Sequence, residues 1–110
     1  MSNNDGSVFL VKTDNRKEGI KDLLSNFDMT DFKDKNIAVK ANYNSQDPFP
    51  ASTHPDTLQT LVKSIKINEP NNIILAERSG MGNTREVLET RGVMDLANKE
   101  DFVVKILDEI

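Results

Sequence analysis

Cysteine is absent from the 110 residues. Disulfides, thiolate nucleophiles and cysteine-held iron–sulfur clusters are therefore excluded within this chain. Histidine occurs once, as His54. With one histidine and no cysteine, zinc is a poor fit. The carboxylates of Asp47, Asp56 and Glu77 show no ligand spacing around His54, so no metal site is assigned and the cofactor is left unknown. No segment approaches the roughly 20 apolar residues that span a bilayer. The opening "MSNNDGS" also lacks the apolar region of a secretory signal. The expectation is a cytoplasmic chain with no membrane partner. Positive charge is in the minority, with 14 Lys and Arg against 18 Asp and Glu, a net charge of −4. A general nucleic-acid binder needs clustered cations to displace counterions, so no nucleic-acid partner is expected. A single phosphate or carboxylate needs only a few placed donors and stays within reach.

What is present fits one α/β domain over residues 1–110, with 1–7 read as a disordered tail. Four short runs rich in Val, Ile and Phe stand out: "VFLV" (8–11), "IAV" (37–39), "IILA" (73–76) and "FVVKIL" (102–107). They are nearly continuous rather than alternating, the pattern of strands covered on both faces. Between them the period changes. Ile20, Leu23, Leu24 and Phe27 fall at helical spacing, as do Leu58, Leu61, Val62 and Ile65. The last crossover reads as two short helices, with Val87 and Leu88 in one, Val93, Met94, Leu96 and Ala97 in the other, and a bend at Gly92. Alternating strands and helices imply a mainly parallel sheet of about four strands. The expected architecture is a three-layer, doubly wound, Rossmann-like sandwich.

In open parallel sheets ligands collect beyond the carboxyl ends of the strands. The loops on that rim are 13–16, 40–55 and 77–84. "KANYNSQDPFPASTH" (40–54) is long for a strand-to-helix link, where roughly 2–6 residues are usual. Lys40, Asn42 and Asn44 alternate, so the three are expected to face one side. Pro48 and Pro50 stiffen the loop. Pro55 suits the first helical position, which makes His54 the formal cap, with Thr53 the alternative. Asp56 then complements the helix dipole. In "ERSGMGNTREVLE" (77–89), Gly80 and Gly82 permit close approach of a ligand. Asn83 with Glu86 has capping-box spacing, with Thr84 a competing cap. The amides of 80–84 could hold an anion, and Arg78 and Arg85 could grip it with two bonds. As a dinucleotide fingerprint the stretch is weak, because the third glycine is replaced by Arg85.

At these residues the sequence resembles a known family. "VKTDNRKEGI", "DPFPASTHPDTL" and "ERSGMGNTREVLE" look like segments of the domain of unknown function 362, from about Phe9 to the C-terminus. The resemblance implies that Lys40, Asn42, His54, Pro55, Asp56, Glu77, Arg78, Ser79, Gly80, Gly82 and Arg85 belong to shared motifs, without supplying their roles. Members are found in bacteria and archaea, are typically longer, and some carry ferredoxin-like cysteine motifs. The family's "KPN"-type element reads Lys40-Ala41-Asn42 here, and the chain reads as the N-terminal part of a larger family domain or a short version.

The expected function is therefore binding of a small anionic metabolite at loops 40–55 and 77–85, within an enzyme. Arg78, Arg85 and the glycine-loop amides would hold the anion. Lys40 and Asn42 would orient it, with Thr53, Asp56, Glu77 and Ser79 around it. His54 is the proton-transfer candidate, because it alone titrates near neutral pH. Two alternatives stand beside it: an accessory module docking to a ferredoxin-linked redox protein, and a structural fragment that forms a homo-oligomer.

Overall fold

The computed structural model describes residues 6–109. Most of the tail expected over 1–7 lies outside the described residues. Three of the four apolar runs become strands: β1 (Asn36–Val39), β2 (Asn72–Glu77) and β3 (Val103–Ile106). They lie in the order β1-β2-β3, and both pairs are parallel. Each parallel link must carry the chain back to the starting end of the sheet, and helices do so. Helix α1 (Arg16–Leu24) precedes β1, and α2 (Pro55–Lys66) joins β1 to β2. Helices α3 (Thr84–Thr90) and α4 (Val93–Glu100) join β2 to β3. The chain is α/β with a parallel sheet.

The helix boundaries follow local chemistry. His54 caps α2, its Nδ1 accepting the Asp56 N–H at 3.0 Å, with Pro55 at the first helical position. Asn83 caps α3 through the Glu86 N–H, at 3.1 Å. Thr84 is therefore not the cap. Gly92, at φ 78, separates α3 from α4. Glycine adopts that angle without a Cβ penalty, so the predicted bend falls there. The α2 stripe of Leu58, Val62 and Ile65 is buried, as are Ile73 and Leu75 of β2. Each such burial stabilises by about 1.5–3 kcal/mol relative to exposure. Buried Gln59 links three helices: it accepts from Lys17 Nζ of α1 at 3.1 Å and donates to Glu100 of α4 at 2.7 Å.

Two expectations need correction. The run 8–11 forms no strand; Val8 and Leu10 are 90% and 95% exposed. A β-type sequence becomes a strand only with a ladder partner. Here the segment meets the loop after α1 instead, with the Phe9 and Phe27 rings edge to face at 5.4 Å; α1 ends at Leu24, so Phe27, expected on its stripe, lies beyond the helix. The sheet is also not covered on both faces among the described residues. Along β2, Ile73, Leu75 and Glu77 are buried while Ile74 and Ala76 are only half-buried. In register with Ile74, Ala38 and Val103 are exposed. One face packs on helices and the other stays open, so two layers replace the expected three. Sequential right-handed crossovers in the order β1-β2-β3 have this result, because both return over the same face.

Candidate functional site at the carboxyl ends of the strands

Parallel strands put the loops after β1 and β2 at one end of the sheet, and hydrogen bonds join them there. Asn44 Oδ1 accepts the Gly80 N–H at 2.9 Å, and the Asn44 carbonyl accepts the Met81 N–H at 2.9 Å. Buried Ser79 donates its hydroxyl to the Tyr43 carbonyl at 2.7 Å. On the other side, the Thr53 N–H reaches the Asn42 carbonyl at 2.9 Å, and the Asn42 N–H reaches Thr53 Oγ1 at 2.8 Å. Residues 42–44 thus touch both the approach to His54 and the glycine loop.

Gly80 is required by this closeness. A Cβ there would sit 2.1 Å from Asn44 Oδ1, the atom that accepts its amide. Gly82 is glycine for another reason: its φ is +86, a left-handed conformation that side chains rarely adopt.

Lys40 and Glu77 clasp the ends of β1 and β2. Lys40 Nζ donates to Glu77 Oε1 at 2.9 Å and Oε2 at 3.0 Å, and also to the Ala41 carbonyl. The Glu77 side chain is 2% exposed, that of Lys40 67%. The Arg78 N–H donates to Glu77 Oε1 at 2.9 Å, a third bond to the same carboxylate. Tyr43, equally buried, has its phenol pushed up to about 12. Burial is the main cause; the Glu77 charge adds to it and Arg91 opposes it.

The proposed anion donors fare unequally. Four successive amides already have acceptors: Arg78 N–H on Glu77, Ser79 N–H on Thr84 Oγ1 at 3.0 Å, and Gly80 and Met81 on Asn44. Thr84 in turn donates to Asp108 at 3.0 Å. Arg85 makes its two-bond grip within the chain, to Glu109 at 2.7 and 3.0 Å. That contact raises the Arg85 guanidinium and lowers the Glu109 carboxyl from their ordinary values. The Arg78 side chain is exposed at the rim.

Lys40, Asn42 and Asn44 do not share one target. Lys40 turns to Glu77, the Asn42 amide to the Ala51 carbonyl at 3.3 Å, and Asn44 to Gly80. His54 uses Nδ1 as the α2 cap, which places the proton of the neutral ring on Nε2. Its ring meets Phe49 edge to face at 5.1 Å, and Arg16 lies over Phe49 at 4.6 Å. Asp56 is 4.0 Å from Lys17 Nζ. Among the described residues, no three His, Asp or Glu side chains gather as a metal-ligand set. No helix among them is long and apolar enough to cross a membrane. Sequence reasoning missed Tyr43, read Asn44 only as facing the side of Lys40 and Asn42, and read the Thr84 side chain only as a competing cap. The alternate spacing of Asn42 and Asn44 was the available signal for Asn44.

The fold is thus an α/β domain whose two long rim loops are fastened to each other. The family described as Domain of unknown function (DUF362) matches residues 37–109, and the chain belongs to that family. The match begins at β1, later in the chain than the resemblance read from Phe9. No curated protein and no solved structure matches the chain.

Proposed function

We propose that this rim binds a small anionic ligand and that Arg78 is its principal cation. The observation that carries the reading is the bracing of loop 40–55 against loop 77–84 through Asn44, Ser79 and Tyr43. Bracing lowers the ordering cost of binding, because the loops need not be immobilised by the ligand. Arg78 supplies a guanidinium whose fork matches a carboxylate or phosphate. Lys40 stands at the same edge as the second cation, already held in place by Glu77. Asn42, Thr53 and the Gly82 turn complete the surroundings. His54 presents Nε2–H as the remaining ring donor, and Asp56 holds that ring through its own amide. Arg85 joins only by leaving Glu109, so it is secondary. An enzymatic role would place His54 as the proton carrier.

The test is isothermal titration of the intact chain with inorganic phosphate and a panel of small carboxylates. At least one member is expected to bind, and Arg78→Ala to weaken it tenfold or more, the loss of about 1.4 kcal/mol or greater. Arg85→Ala is expected to have the smaller effect. Silence across the panel, or equal binding by Arg78→Ala, refutes the reading.

A further inference from the structure

The expectation of a homo-oligomer is independent of the ligand rim and turns on the free edge of the sheet. β1 pairs only with β2 among the described residues, so its outer edge carries unpaired backbone groups. Beside that edge runs an apolar groove of about 460 Å³, walled by Phe27, Phe32, Ile37, Val39, Leu61 and Ile65. Edge strands of this kind accept another strand readily. The same chain holds a strand-type segment with no ladder partner among the described residues. Residues 8–11, "VFLV", match β1 in length, and Val8 and Leu10 are almost wholly exposed. Two residues apart, they would share one face of an extended strand, as Ile37 and Val39 do on β1.

We infer that residues 8–11 of a second copy add to the β1 edge, each copy giving its segment to the other. Within one copy both demands stay unmet, because the segment is held beyond the end of α1 by the contact of Phe9 with Phe27. Reciprocal exchange meets both at once. It also closes by a two-fold axis, so it stops at the dimer. Val8 and Leu10 leave solvent for the groove, and the β1 amides and carbonyls gain partners.

Light scattering on the eluting intact chain, from micromolar to millimolar, should show the mass rising from monomer to dimer. Hydrogen exchange at residues 36–40 should slow over the same range. The double variant Val8→Asp/Leu10→Asp is expected to weaken the dimer at least tenfold while keeping the far-ultraviolet circular dichroism of the wild type. If that variant fails to fold, a peptide of residues 7–12 added to wild type should dissociate the dimer. A monomer throughout overturns the inference. So does a dimer unaffected by both the variant and the peptide, or protection of β1 that is independent of concentration.

Discussion

Replacing Lys40 by Met removes the cation from a carboxylate that has almost no access to water. The Glu77 side chain is 2% exposed and accepts two bonds from Lys40 Nζ and one from the Arg78 N–H. Breaking a fully buried pair costs about 3–5 kcal/mol, and a single bond to a charged group is worth about 1.5–3. Lys40 itself is two-thirds exposed, so solvent screens part of the attraction. The expected loss is therefore about 2 kcal/mol, nearer the single-bond figure. With a urea slope of about 1 kcal/mol/M for a small domain, the midpoint falls by about 2 M. Glu77→Gln is expected to cost a similar amount, since an amide faces the ammonium with a donor. The double variant decides the matter. Once the lysine is gone, the neutral amide no longer opposes a cation, so the two losses should fall short of adding by about 1 kcal/mol or more. Urea unfolding of all four proteins, followed by circular dichroism, measures that coupling. Losses that add within about 0.5 kcal/mol would mean the two groups act independently, and the clasp between β1 and β2 would be refuted.

Two further perturbations address the braced loops and the buried phenol. Asn44→Ala should cost about 1–2 kcal/mol, by leaving the Gly80 N–H without its acceptor, and should speed hydrogen exchange at Gly80. Gly80→Ala drives a Cβ into Asn44 Oδ1, so its cost should shrink markedly in the Asn44→Ala background; an unchanged cost contradicts the packing. The Tyr43 phenol is raised in the folded state, so the native chain keeps a proton that the unfolded chain releases first. Its contribution is fully present below pH 10 and disappears as pH climbs from 10 through about 12, an amount of the order of 3 kcal/mol. Tyr43→Phe should flatten the alkaline fall of the urea midpoint relative to wild type, and parallel curves would refute the assignment.

Helices α2, α3 and α4 were legible because their ends carry their own punctuation. His54-Pro55 starts α2, Asn83 starts α3 and Gly92 breaks α3 from α4, all through contacts within a few residues. Strand identity was legible only where a partner exists. "IILA" and "VFLV" look alike as strings, yet the first sits between two neighbours and the second has none among the described residues. Pairing is a non-local property that a four-residue string does not carry. Face coverage misled for a related reason. Ile74 and Ala76 made β2 look apolar on both sides, although the face they share is only partly covered.

The rim shows how far loop chemistry can be read without coordinates. Topology alone put loops 40–55 and 77–84 at one end of the sheet, and their bonds through Asn44 agree. What spacing could not convey is who satisfies whom. A glycine-marked turn before a helix suggests amides waiting for an anion, yet here residues 78–81 all find acceptors inside the chain. Gly80 therefore serves closeness between the loops first, and Gly82 the left-handed turn. An arginine in the same motif suggests a ligand grip, yet Arg85 spends its fork on Glu109. Under the proposed function, recognition would then come from side chains rather than from the glycine-loop backbone. Arg78 and Lys40 differ in what they can offer. Arg78 is exposed and brings a bidentate fork, whereas Lys40 is committed to a buried carboxylate that would be stranded if it moved. Under the proposed function, a ligand that recruited Lys40 would have to offset the loss of that pair, so selectivity would rest first on how well an anion fits Arg78.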